Sequence, residues 1–507
     1  MKKILLFALA STLLHQVQAQ GISDALRYSE DNIQGSARYR GLSGAFGALG
    51  GDISAISINP AGSAVFNDGM ISFSLAHMKT KNETTYFEGS ANTSDTNFDI
   101  NQTGAAFVFQ NNNPNSAWKK FTLAASYDKI NDYENDWFAY GTNPNTSIAD
   151  YFLNYANGLR LDEISAFPGE SFSEAYREIG SFYSYGHQQA FLGYESYILN
   201  PLTADDANTV YTSAIAPGRF YQEYTYASRG FNGKFTFNVG AQVGEKLFLG
   251  INLNSHVINY ERSTFLYEAN NNVGSVVNTV RFQNNLFTNG SGFSFQLGAI
   301  YRVTPSLRAG FSYNSPTWIT LEEESSQSIS TLRQENGGNV NQIVNPFITN
   351  IFPTYKLRSP GKYTGSVAYV FGNKGLISFD YSIRDFSNTK LKPGSDPFFS
   401  RENKRIENLL STAATYKIGG EYKLQRFSFR AGYRFEESPY KNNKVVGDLS
   451  GYSAGIGYNF GNYTKLDITY DQTNQTNKNQ LYTVGLTDSA SVDSKVGIIT
   501  ATLSFSL

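Results

Sequence analysis

The sequence predicts an all-β chain: a transmembrane antiparallel β-barrel of about fourteen strands, plugged by its N-terminal residues, with long extracellular loops of which one is partly helical. Three observations predict it. Beyond residue 70, apolar and polar residues alternate with period 2 in segment after segment. Tight turns and long polar stretches take turns in joining those segments. The chain also ends on an alternating strand, which suits closure against the first one.

Composition narrows the function classes. The 507 residues carry 41 basic and 43 acidic side chains, so no basic excess is present to neutralise a phosphate backbone, and nucleic acid is excluded as a partner. The chain has no cysteine, which removes disulfides, thiolate metal sites and cysteine nucleophiles. A mean hydropathy of −0.35, without a long apolar run after the leader, argues against helical membrane spans.

Taken in order, the first residues read as an export signal. Lys2 and Lys3 form a positive start, residues 4–14 an apolar stretch, and Val17-Gln18-Ala19 a small-residue cleavage site, so residues 1–19 are expected to be removed. Losing those two lysines from 41 basic against 43 acidic residues leaves a net charge of −4. Residues 20–69 are Gly- and Ala-rich, too long for a leader and too apolar for a disordered tail, and are expected to fold inside the barrel.

Residues 70–507 form the expected barrel. In residues 246–260, Leu247, Leu249, Ile251, Leu253 and Val257 share one parity, while Gly250, Asn252, Asn254 and His256 share the other. Residues 376–386 and 426–437 split in the same way. A soluble sandwich also alternates, but the connections here are asymmetric. Turns are tight at Gly244-Glu245, Thr304-Pro305-Ser306, Gly372-Asn373-Lys374-Gly375 and Phe460-Gly461-Asn462, whereas 79–102, 263–288, 321–353, 387–408 and 472–495 read as long polar loops. The 34 Tyr and 38 Phe suit aromatic girdles at the membrane interfaces, or core packing.

The longest interruption, residues 131–230, carries helical patterning as an extracellular loop. Ile148, Phe152, Tyr155 and Leu159 share one face, Phe172, Tyr176, Ile179 and Tyr183 another, and Ser171 with Glu174 makes a capping box. Such faces bury against each other, against the barrel mouth, or against a ligand or protein partner.

Residues 39–62 read YRGLSGAFGALGGDISAISINPAG. This resembles the N-terminal hatch of the FadL/TodX family of outer-membrane transporters for hydrophobic compounds, with its glycine-rich run, an acidic residue and Asn-Pro-Ala-Gly before the first strand. Residues 307–313 (LRAGFSY), 429–435 (FRAGYRF, followed by Ser438-Pro439) and 455–460 (GIGYNF) are similar too. The resemblance implies a plugged fourteen-stranded barrel in the cell outer membrane, in contact with its lipids. Lipophiles, long-chain fatty acids foremost, would be caught at the outer mouth, bound above the hatch and released sideways by passive diffusion.

On that reading Gly44, Gly47, Gly50, Gly51 and Asp52, with Asn59, Pro60, Ala61 and Gly62, form the hatch and its gate, the glycines allowing tight backbone turns. Asn59-Pro60 would be a latch, or only a turn into the first strand. Phe46, Leu49, Ile53, Ile56, Ile58 and Phe66, with Phe152, Tyr155, Tyr176 and Ile179, are the candidate apolar ligand contacts. Arg308, Arg384, Arg430 and Arg434 would pair a substrate carboxylate, or form a lumen ladder with residues such as Asp380.

Competing chemistry is thin. Residues 451–455 match G-x-S-x-G around Ser453, but that elbow needs a strand-turn-helix and the residues after it read as another strand, so no enzyme is expected. His77 and His256 suggest a haem receptor, without any metal-ligating spacing behind it, so neither metal nor cofactor is expected. A surface scaffold or secretion accessory, docking protein at 131–230, is the other alternative.

Overall fold

The computed structural model describes residues 21–507 apart from Asp31 and Asn462, so the export signal expected at 1–19 lies outside the described residues. One antiparallel sheet closes into a barrel of 14 strands. In chain order these are β1 (Met70–Tyr86), β2 (Gly89–Gln110), β3 (Trp118–Asp132, resuming as Asn135–Asn143), β4 (Phe220–Val243), β5 (Leu247–Ala269), β6 (Val277–Arg302) and β7 (Leu307–Asn314, resuming as Trp318–Glu335). There follow β8 (Gly338–Val344, Asn350–Ile351, Tyr355–Arg358 and Lys362–Val370), β9 (Gly375–Asp385), β10 (Thr412–Leu424), β11 (Phe427–Glu436), β12 (Leu449–Gly461), β13 (Thr464–Gln480) and β14 (Ser489–Ser506). Closure is between the ends, with Met70 opposite Ser506 and Thr85 opposite Ser491.

Alternation in the sequence becomes two faces of one wall. Along β5, Leu249, Ile251, Leu253 and Val257 are exposed on the outside, and Asn252, Asn254 and His256 are buried inside. An apolar band outside and a polar lumen are what a bilayer requires of a strand that has no helix to satisfy its backbone. None of the described helices is long and apolar enough to cross a membrane.

The strands outrun the membrane. β4, β5 and β6 hold 24, 23 and 26 residues, against roughly 9–11 for one tilted crossing. The long loops expected at 79–102, 263–288, 321–353 and 472–495 are consequently mostly ladder standing above the bilayer, with turns as short as Phe87-Glu88. Beyond the membrane the outer face of a strand can be polar, as at Asn259 and Glu261 of β5 opposite the buried Ile258 and Tyr260, so the apolar-outside period is lost while the hydrogen bonds continue. The stretch 131–230 shrinks likewise to 144–219, because β3 runs on to Asn143 and β4 starts at Phe220.

The lumen is filled in layers, read upward along β5. Gly250 and Asn252 face the hatch, Asn254 and His256 a chamber, and Ile258 and Tyr260 the helix α1 (Ile22–Arg27). Leu266 and Glu268 meet the extracellular cap. The hatch adds α2 (Ala37–Gly41) and the 3-10 turns Ile53–Ser57 and Pro60–Val65. The cap contains α3 (Ile148–Ala156), α4 (Phe172–Phe182) and α5 (Tyr185–Glu195). Ser171 and Glu174 do cap α4 reciprocally. The 387–408 stretch holds α6 (Pro397–Leu409), started by the Asp396 side chain accepting from the Phe398 and Phe399 amides. It folds inward, and Phe399 and Ile406 share an apolar cluster with Ile22 and Leu26 of α1.

Candidate functional site

The hatch is held by polar side chains of the wall bonding its backbone. Gly44, Gly50 and Gly51 take φ of +74°, +64° and +68°, a left-handed backbone that lets the chain turn tightly at 44 and again at 50–51. Gly47 serves differently: a Cβ there would stand 2.0 Å from Ser366 Oγ. The Phe46 and Gly47 amides each donate to the Asp380 carboxylate at 3.0 Å. Asn238, Asn252, Gln296 and Ser312 donate to the carbonyls of Pro60, Ile56, Ser57 and Ile58 at 2.8–3.1 Å.

Asn59 caps the turn Pro60–Val65, its Oδ1 accepting from the Ala61 amide at 3.1 Å. Its Nδ2 donates to the carbonyls of Gly47 at 2.7 Å and Ala299 at 3.1 Å, and more weakly to that of Phe311. One amide thus ties two hatch segments to β6 and β7. Beneath it Gly240, Gly250 and Gly298 lie in register across β4, β5 and β6. A Cβ at Gly250 would meet the Pro60 backbone at 2.2 Å, and one at Gly298 would meet Asn59 Oδ1 at 2.0 Å. These wall residues escaped the sequence reading, where a lumenal Gly or Asn looks like ordinary wet surface. The signal was the glycines on corresponding positions of consecutive strands.

On the far side the fastening is ionic. Arg40, 1% exposed, forms two 2.8 Å bonds with Asp471 of β13. Arg38 bonds Glu421, which also accepts from Arg430, itself 2.6 Å from Asp467. Asp52 accepts from the Ser54 amide and the Ser36 hydroxyl. Burial pushes the Asp52 carboxyl above the usual range, opposed by Arg38 and Ser36.

The four arginines singled out in the sequence therefore part company. Arg430 is engaged by Glu421 and Asp467, Arg434 stands 3.3 Å from Glu436, and Arg308 donates to the Leu49 carbonyl at 2.8 Å. Arg384 alone of the four lines the chamber, and bonds the Ser29 carbonyl there. The apolar candidates divide too. Phe46 and Leu49 pack with Ala368 and Leu376 of the wall, and Ile53, Ile56 and Phe66 with Ala106 and Ala124. Phe152, Tyr176 and Ile179 are buried in the cap, with Tyr155 packed against them. Ile58 is the one that faces the chamber.

That chamber, about 70 Å³, lies between the hatch and α1. Two lumenal rows border it. Asp128, Lys234 and His256 are register neighbours on β3, β4 and β5; Asn314, Lys362 and Arg384 are register neighbours on β7, β8 and β9. It reaches the wall where two adjacent strands break together. β7 is interrupted at Ser315-Pro316-Thr317 and β8 at Ser359-Pro360-Gly361, and Ser315, Thr317, Ser359 and Pro360 line the chamber. Each proline deprives the ladder of a donor. Serine hydroxyls substitute, Ser315 Oγ accepting from the Phe295 amide at 2.9 Å and Ser359 Oγ from the Thr317 amide at 3.0 Å.

Ser453 sits within β12, where its hydroxyl donates to the Gly41 carbonyl at 3.1 Å and lies 2.9 Å from Ser43 Oγ. It fastens the hatch and occupies no strand-turn-helix elbow. His77 is on the outer face of β1 while His256 is lumenal, beside Ser294 Oγ at 3.0 Å, so the two imidazoles cannot share an iron.

A family model described as outer membrane protein transport protein (OMPP1/FadL/TodX) matches residues 229–506. Among solved structures, a Pseudomonas aeruginosa FadL homologue and the Pseudomonas putida toluene transporter TodX superpose with TM-scores of 0.51 each, at 12% identity, covering 94% of this chain and 99% of theirs. No curated protein matches in sequence. The barrel, its hatch and the family match agree: the chain belongs to the OMPP1/FadL/TodX family and is an outer-membrane channel of the kind that passes hydrophobic compounds.

Proposed function

We propose that the cargo is a long-chain carboxylic acid, taken up passively, and that it leaves sideways through the double break in β7 and β8. The observation that carries this reading is the meeting of a polar chamber lined by lysine and arginine with a place where two adjacent strands of the wall are interrupted side by side. Among the described residues that line the chamber are Lys234, Lys362 and Arg384 with one carboxylate, Asp128, a lining whose polar and cationic groups suit an acid head better than a plain hydrocarbon. At the break, Pro316 and Pro360 each withhold a backbone donor from the ladder. The hatch below blocks the straight path to the periplasm, and its neutral hydrogen-bonded pins on the β4–β7 side are individually weak enough to exchange for water.

The chain has no cysteine, so a Thr317→Cys, Ser359→Cys pair can close the break unambiguously; the parent residues are hydrogen-bonded neighbours, within disulfide reach. Oleate uptake into proteoliposomes is expected to fall at least about tenfold on oxidation and return on reduction. Uptake that ignores oxidation rules out this exit. Passage of toluene with no passage of oleate, in the parent protein, rules out the acid.

A further inference from the structure

Three buried oxygens of the chamber have no hydrogen-bond partner among the described residues. Asp128, 1% exposed, uses Oδ2 to accept from Ser57 Oγ at 2.8 Å and Ser126 Oγ at 3.3 Å, while its Oδ1 has no hydrogen bond among the described residues. Asn232, 2% exposed, leaves its Oδ1 in the same condition two residues along the lumenal row from Lys234. On the opposite row the Asn314 Oδ1 is likewise buried and unbonded. All three residues line the same chamber. A buried acceptor without a donor carries its full desolvation cost, and native proteins rarely leave such groups together unless something fills the place.

We propose that the chamber is a head-group site for an amphiphile that donates hydrogen bonds: a long-chain acid carrying a hydroxyl or an amide N–H close to its carboxylate. The inference rests on the acid reading above and narrows it. The unbonded atoms are acceptors, so they call for a donor, and an unsubstituted carboxylate at neutral pH has none. A cation is disfavoured because Lys234 stands in register between Asp128 and His256. The volume agrees: about 70 Å³ accepts a few polar atoms, the space of about five waters, and excludes a long chain. The alkyl tail then lies toward the break at Pro316 and Pro360, leaving the head between the two rows.

The test is a matched pair of probes on the full-length protein in mild detergent: hexadecanoic acid and 3-hydroxyhexadecanoic acid, with Kd measured by titration calorimetry and stoichiometry by native mass spectrometry. The hydroxy acid is expected to bind about tenfold more tightly, the worth of a satisfied buried acceptor. In Asn232→Leu that preference disappears; in Asn232→Asp, which keeps an acceptor and checks that the site still folds, it persists. Equal Kd values for the two acids in the parent protein overturn the inference and leave the acid reading standing. Failure of both acids to bind removes the acid reading, and this one with it. A preference that survives Asn232→Leu and also Asp128→Leu moves the site out of the chamber and overturns the proposal as well.

Discussion

The same barrel encloses two interiors built on opposite principles. The hatch is made of small residues fastened at many points by polar side chains, with the wall reduced to glycine where the two backbones touch. The cap is an apolar core of large rings: Phe152, Tyr176, Phe191 and Phe282 are buried, and Tyr151, Phe282 and Tyr482 meet one another at centroid distances of 4.9–6.0 Å. A hydrogen bond traded for water loses about 1 kcal/mol, whereas a large ring withdrawn from such a core loses several. One barrel therefore carries a rigid roof over a floor whose contacts can be exchanged singly.

The widest separation between the two should come from Phe152→Ala. Removing a ring that is 0% exposed at the junction of α3 with Phe282 should cost about 3–5 kcal/mol of cap stability. Limited proteolysis within 144–219 should accelerate accordingly, while single-channel conductance in planar bilayers stays at the parent value. A rise in conductance would mean that the roof seals the pore, and the division between roof and floor would fail.

Gly250→Val reverses the pattern. Its Cβ would stand 2.2 Å from the Pro60 backbone, so the turn at Asn59-Pro60 has to lift off the floor. The cost of about 1–3 kcal/mol is typical of overpacking, and the barrel itself should unfold at an unchanged temperature. Ion leak should appear in the same bilayer measurement, with cap proteolysis unaltered. A tight pore in this variant would show that the glycine floor is not what seats the hatch.

How far these parts were legible depends on their physics. The barrel was, because Leu249, Ile251 and Leu253 must face lipid and print their period in the sequence. The upper ladder was not, since strands whose outer face is wet lose that period while keeping their bonds. Of the helices, α3 and α4 announce themselves by one-sided aromatic faces and caps at Ser147 and Ser171. In contrast, α5 buries Gln188, Gln189, Ala190, Phe191 and Leu192 in succession, so it has no stripe to read. The hatch motif singles out Asn59 and the glycines, but their fastenings at Asp380, Asp471 and Gly298 come from strands hundreds of residues away. Similarly, nothing in the spacing of Arg308, Arg384, Arg430 and Arg434 tells which meets the hatch, which the ion network, which a neighbouring glutamate and which the chamber.

The smallest effect tests whether the floor is loosened by charge within it. Asp52 is buried in the hatch, and its carboxyl is raised because burial penalises the ionised form more than Arg38 and Ser36 favour it. A group raised on folding contributes most below its unfolded value, near pH 3.9, and that contribution is lost as pH climbs through the raised one. The hatch should therefore loosen slightly as pH rises from about 4. Hydrogen exchange at the Ser54 amide, which donates to Asp52 at 2.9 Å, reads this directly. Asp52→Asn keeps an acceptor for that amide and ranks with Asp as an N-cap, so its stability at neutral pH should differ from the parent by less than about 1 kcal/mol. The pH slope, once corrected for intrinsic exchange, should vanish in this variant. If the slope persists there, Asp52 is not its source, and the loosening of the floor comes from another titrating group of the lumen.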